Sequence, residues 1–136
     1  METPAGQVRV LVVDDQRPFR LAAAAVLRRT PSFALVGEAA SGEQALELLA
    51  ERTPDLVLMD ITMPGMGGVE ATRRLLAAAP GTVVLLCSTY PRSDLPPDAA
   101  SSGAAAYLHK EELAPDVLQE VWQEHGVTRP AAPAPG

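Results

Sequence analysis

A single cysteine, Cys87, excludes any internal disulfide, and no Cys/His spacing of a zinc site is present. It sits in the apolar run 83–87, where a small buried hydrophobe is its expected role. Aromatic residues make up only 4% of the chain, so Leu, Val and Ala must fill the core. Positive charge is short as well: 11 Lys and Arg against 17 Asp and Glu leave a formal net charge of −6. Such a surface repels a polyanion. Arg28-Arg29 and Arg73-Arg74 read as solvated helix faces, so direct nucleic-acid binding is not expected. No stretch reaches the ~18 apolar residues of a membrane span. Residues 1–7 lack the basic start and apolar centre of a signal peptide. The expectation is a cytoplasmic protein.

What is present is globular. The chain has 136 residues, of which 47% are hydrophobic. That suits one domain of ordinary size. Short apolar runs alternate with segments of helical period. Residues 8–13 are nearly all apolar, as a buried parallel strand requires. Phe19, Ala22, Ala23, Val26 and Leu27 then mark one helix face, with Pro18 in its first turn. Residues 34–40 read as a second strand. Ser41 and Gln44 resemble a capping box ahead of Ala45, Leu48 and Leu49. Strands follow at 55–60, 82–87 and 105–108, with a helix from Gly68 between the first two. Pro115 opens a last helix through Val117, Leu118, Val121 and Trp122.

Five βα units of this kind predict a parallel sheet with helices on both faces. Right-handed crossovers leave few topologies. The expected fold is flavodoxin-like, a doubly wound (βα)5 sheet of strand order 2-1-3-4-5. Residues 90–103 hold three prolines. They predict a shortened fourth helix, about Asp98 to Ser102. Residues 126–136 are Pro/Ala-rich and read as a linker or tail. The predicted division is therefore an N-terminal tail (1–7), a domain (8–125) and the tail (126–136).

Ligands of open α/β sheets bind at the carboxyl ends of the strands. Those ends carry Asp14-Asp15, Asp60, Ser88-Thr89 and His109-Lys110. Crowded carboxylates repel, and a hard divalent cation such as Mg²⁺ relieves the repulsion with oxygen ligands. A carboxylate held there can attack phosphorus and form an aspartyl phosphate. Lys110 and a hydroxyl can then spread the phosphoryl charge.

The set Asp14-Asp15, Asp60, Ser88 and Lys110 resembles the receiver domains of two-component response regulators. Residues 59–68 (MDITMPGMGG) are similar to that family's loop after the phosphorylated aspartate. Residues 103–110 (GAAAYLHK) resemble its fifth-strand signature. The likeness runs from about Val8 to Trp122, and Asp60 lies 45 residues after Asp15 and Lys110 22 after Ser88. Glu111 follows Lys110 where many members have Pro; members of the LuxR-type (NarL-like) subgroup, which this chain resembles, often lack that Pro too.

This resemblance implies a role for each matching residue. Asp14, Asp15, Asp60 and the Thr62 backbone carbonyl would hold Mg²⁺. Asp60 would be the phosphoacceptor, Ser88 the hydroxyl that follows the phosphoryl group, and Lys110 its ion-pair partner. Tyr107 matches the aromatic switch position. A histidine kinase would be the donor. The output would be a downstream effector, or transcription through a DNA-binding domain outside this chain. A homodimer on activation also belongs to that pattern. The expected protein is a signalling phosphoacceptor with Mg-dependent self-phosphorylation and dephosphorylation chemistry, not a turnover enzyme.

Singly, each residue has a plainer role. Asp14 and Asp15 could cap a helix, Asp60 could serve a turn, and Lys110 and Ser88 could be solvated strand ends. Tyr107 fits a half-buried strand aromatic as well as a switch. Trp122 reads as core, and Met63 and Met66 as loop packing. His109 should alternate away from the site, and His125 has no visible role. A phosphatase of the haloacid-dehalogenase kind would want Asp-x-Asp after the first strand, which is absent. A phosphate-independent binding module is the alternative.

Overall fold

The computed structural model describes residues 7–91 and 94–126. Apart from Gln7 and Gly126, the two tails expected from the sequence lie outside the described residues. Five parallel strands form one sheet: β1 (Val8–Val13), β2 (Phe33–Ala39), β3 (Leu56–Asp60), β4 (Val83–Ser88) and β5 (Ala106–His109). Their order is β2-β1-β3-β4-β5, as expected. The long helices are α1 (Arg17–Arg28), α2 (Gly42–Glu51), α3 (Gly68–Ala78) and α4 (Pro115–His125). Single 3₁₀ turns occupy Pro97–Ala99 and Lys110–Glu112.

Strand alternation divides the core in two. Leu11, Val13, Val57, Met59, Val84 and Leu86 face α2 and α3. Val10, Val12, Leu56, Leu58, Leu85 and Cys87 face α1 and α4. Every residue of β3 and β4 is buried, because helices cover both faces. Cys87 is fully enclosed, and burial pushes its thiol up to about 12. It is the inert small hydrophobe expected of it.

The local signals act largely as read. Ser41 accepts a hydrogen bond from the Gln44 N–H at 3.1 Å. Gln44 reaches one residue further back than a capping box requires, accepting from the Ala40 N–H at 2.7 Å. Three expectations shift. In α1 the buried stripe is Ala23, Ala24, Val26 and Leu27, while Ala22 is exposed. The fourth helix shrinks to the 3₁₀ turn Pro97–Ala99, and Pro96 and Pro97 block its extension toward the N-terminus. β5 runs one residue beyond its expected end, which brings His109 into the sheet, opposite Ser88 in register.

One close approach positions the site. The Gly68 N–H donates to the Ile61 carbonyl at 2.9 Å, which presses the start of α3 onto the end of β3. A Cβ on Gly68 would lie 1.9 Å from the backbone oxygen of Asp60. Only glycine allows helix and strand to meet there. Gly68→Ala should therefore destabilise the chain by about 1–3 kcal/mol through overpacking. Gly81, with nothing within 4 Å of its added Cβ, is the control and should tolerate Ala. Urea unfolding of both variants checks this. Equal midpoints would show that the β3–α3 junction yields freely.

Candidate acidic site at the carboxyl edge of the sheet

The strands deliver their charged residues to one edge. Asp14 follows β1 directly and is fully buried; Asp60 ends β3 and is 5% exposed. Ser88 ends β4 and is buried. Lys110 follows β5. Asp15 is exposed at the rim, yet carboxylate oxygens of Asp14, Asp15 and Asp60 lie within 4.8 Å of one another. The expected acidic set is thus brought together.

Lys110 ties two of its members. Its Nζ lies 2.6 Å from Asp14 Oδ2 and 3.4 Å from Asp60 Oδ1. The same ammonium sits 4.6 Å from the centre of the Phe19 ring on α1, a cation–π contact that braces it from below. Burial alone would pull the Lys110 pKa down; contact with Asp14 and the charge of Asp60 outweigh it and hold the pKa above its ordinary value. Lys110 is therefore a fixed cation.

The carboxylates differ in their surroundings. Asp14 Oδ1 accepts the Gln16 N–H at 2.8 Å, and its backbone carbonyl accepts Arg20 Nη1 at 2.6 Å. Arg20 is held in turn by Glu38 at 3.3 Å. Asp14 Oδ2 has the Lys110 charge close by but no donor aligned for a hydrogen bond. A buried carboxylate oxygen left in that state is suited to a cation. Asp60 is pushed up to about 6, first by burial and then by the charge of Asp14; Lys110 and a backbone hydrogen bond from Thr62 oppose this. One folded pocket thus keeps a carboxyl close to neutrality in proton affinity, which marks an unrelieved crowding of negative charge.

Three expected residues are placed less directly. Ser88 Oγ accepts the Tyr90 N–H at 2.9 Å, so its hydroxyl is engaged in its own loop. Tyr107 packs against the α2/α3 side of the core and donates its hydroxyl to the Tyr90 carbonyl at 2.5 Å. Thr62 is exposed. Sequence reasoning missed the contacts of Phe19 with Lys110 and of Arg20 with Asp14. It also missed His109, whose ring lies 2.9 Å from the Thr89 carbonyl. Helical spacing put Phe19 on the inner face of α1, but nothing in the sequence signals which residue an inner face meets.

The family of response regulator receiver domains matches residues 10–122. The response regulator GacA of Pseudomonas viridiflava is 38% identical over 114 residues, 84% of this chain and 53% of that protein. The transcriptional regulatory protein DegU of Brevibacillus brevis is 35% identical, over 85% of this chain and 49% of that protein. The chain spans about half the length of these curated relatives. A solved LuxR-family two-component response regulator from Aurantimonas sp. SI85-9A1 is similar at a TM-score of 0.79 and 31% identity, covering 93% of this chain and 91% of that one. A family match across the whole sheet, with an acidic cluster at its carboxyl edge, makes this chain a member of the response regulator receiver domain family.

Proposed function

We propose that this chain is the phosphoryl-accepting module of a two-component system, with Asp60 as the acceptor and residues 8–125 as its working unit. The observation that carries the reading is the Asp14–Lys110–Asp60 arrangement, with Asp15 in reach, at the carboxyl edge of the sheet. Asp14, Asp15, Asp60 and the Thr62 carbonyl are the groups to hold Mg²⁺. The buried Asp14 carboxylate, already drawing the Lys110 ammonium to 2.6 Å, and the raised Asp60 pKa support this fit. When bound, the cation neutralises charge on the carboxylates and on a phosphoryl group.

The chain's own residues account for the remaining chemistry. A carboxylate oxygen of Asp60 attacks phosphorus as the P–N bond to the kinase histidine breaks, and the imidazole leaves with the bonding pair. Lys110 already stands 3.4 Å from Asp60 and can turn its charge toward the transferred oxygens. Rotation of Ser88 toward the phosphoryl group, to which its hydroxyl would donate, exchanges the bond that its oxygen accepts from the Tyr90 N–H. That exchange, with Tyr107 bound to the same loop, is the proposed route from chemistry to conformation. A histidine kinase is the proposed donor in the cytoplasm. The output proposed is transcription through a DNA-binding domain outside this chain, with dimerisation on activation. The chain spans about half the length of GacA and DegU, the second of which is a transcriptional regulatory protein.

Incubation with Mg²⁺ and acetyl phosphate, followed by intact-mass measurement, tests the acceptor. The wild-type chain should gain one phosphoryl group, and Asp60→Ala none. No uptake by the wild type, with no binding of beryllofluoride, would replace this reading with that of a phosphate-independent binding module.

The raised pKa of Asp60 gives a second test, in chelator. A carboxyl whose folded pKa exceeds its unfolded value favours folding while protonated. That advantage is complete below about pH 4 and is lost as pH rises through about 6. Asp60→Asn cannot ionise, so relative to wild type it should be close to neutral at pH 4. At pH 7 it should be more stable by about 1–2 kcal/mol, allowing for solvent screening at the open rim. Added Mg²⁺ should reverse that order by stabilising the wild type alone. Urea unfolding at the two pH values decides; a difference independent of pH would remove the buried-charge account of Asp60.

A further inference from the structure

We infer that His109 is a positioning residue that latches the loop carrying Ser88, through a hydrogen bond from its imidazole to the Thr89 carbonyl; this rests on the phosphoacceptor reading above. His109 ends β5 and faces Ser88 across the ladder. Its Nε2 lies 2.9 Å from the Thr89 oxygen. A carbonyl only accepts, so Nε2 must carry the hydrogen. Nδ1 accepts the Glu111 N–H at 3.2 Å and must therefore keep its lone pair. Both ring nitrogens are thus committed, and the tautomer is fixed by its two neighbours. The backbone N–H of His109 in turn donates to Glu112 Oε1 at 3.3 Å, which closes a reciprocal box around the 3₁₀ turn Lys110–Glu112.

One imidazole therefore joins two pieces of backbone that flank the phosphoryl position. The first is the 88–90 loop; the second is the turn that begins at Lys110. Tyr107 lies two residues earlier on the same side of β5 and donates to the next carbonyl, that of Tyr90. The loop is pinned at consecutive carbonyls while its own turn holds Ser88 Oγ on the Tyr90 N–H. Ser88 can turn inward only when this arrangement loosens. The bond from His109 thus holds the resting loop, and its release favours the conformation that receives the phosphoryl group. Thr89 is exposed, so water can satisfy its carbonyl once the bond is gone. Loss of the latch leaves no buried orphan and should not unfold the domain.

The test uses the full chain with His109→Leu, which removes the donor, and His109→Gln, whose amide can still reach the Thr89 oxygen. Amide exchange of the 86–91 segment is read without phosphodonor, with the β1 segment as internal reference. Phosphoryl uptake from acetyl phosphate with Mg²⁺ is read by intact mass. The latch predicts loop exchange and uptake both faster by about three- to ten-fold in His109→Leu, the effect of one neutral hydrogen bond, with β1 unchanged. His109→Gln should return both close to wild type. Unchanged loop exchange in His109→Leu would overturn the inference. So would a Gln variant that behaves like Leu, or exchange that rises equally in β1. If no form takes up phosphoryl, the phosphoacceptor reading fails, and loop exchange alone decides whether His109 is a latch.

Discussion

The ammonium of Lys110, held between Asp14 and Asp60, is the constraint on which the rest of the structure depends. Two buried carboxylates with a third at the rim cannot be left to repel one another in a region of low dielectric. A single lysine offsets part of that repulsion, and the Asp60 pKa stays raised, first through burial and then through the charge of Asp14. The pocket is therefore charge-deficient by construction. Such a site is costly to an isolated fold, and added positive charge would lower that cost. The sheet bears this cost because β1, β3 and β4 are otherwise mostly buried apolar residues. The penalty sits at the edge, where solvent is close.

The loops around this pocket are not equally stiff. On the β3 side, α3 begins with Gly68 pressed onto the Asp60 backbone. Nothing can move there without separating helix from strand. On the β1 side, Arg20 grips the Asp14 carbonyl and is itself paired with Glu38. The β4 side is different. Its loop is exposed and held by single side-chain hydrogen bonds from β5, each worth about 1 kcal/mol. An event at Asp60 will move the weakest attachment first. That attachment adjoins the Ser88 hydroxyl. The asymmetry gives movement a direction: the β3 edge at Asp60 stays fixed, and the loop on its far side yields.

Much of this was legible in the sequence. Uninterrupted apolar runs separated by helical periods dictate a doubly covered parallel sheet. A parallel sheet gathers the residues after each strand at one edge. Asp14, Asp60, Ser88 and Lys110 could thus be placed together before any coordinates were known. The braces were not legible, for a physical reason. Phe19, Arg20 and His109 act across the gap between elements, at distances fixed by how loops and helices dock. Residue spacing records the period of an element and not the rotation that docking imposes. The same rotation moved the buried stripe of α1 from Ala22 to Ala24. His109 was placed on the face away from the carboxylates, which is where it lies. That face, however, is where the β4 loop passes.

The Pro-rich stretch after that loop shows how little secondary structure the movable side needs. A full helix would fix its backbone by several hydrogen bonds per turn. Here a single 3₁₀ turn, Pro97–Ala99, does the docking. Ala99 is buried against the α2/α3 core, and Leu95 packs beside it. Ser102 Oγ donates to the Ala99 carbonyl at 2.7 Å to close the turn. The Arg73–Asp98 pair, at 3.7 Å and largely solvated, adds little. The segment is anchored mainly through Ala99, with Leu95 packed against the same core. Prolines lower the entropy the unfolded chain would otherwise lose, so a short anchor suffices. They also forbid the backbone donors that would knit the segment into a rigid helix. The consequence is a region fixed in place but weakly bonded within itself, joined directly to the loop that His109 and Tyr107 hold. A displacement of Thr89 and Tyr90 therefore meets, from Pro97 on, a turn held by its anchor at Ala99 and not by a long helix's own hydrogen bonds.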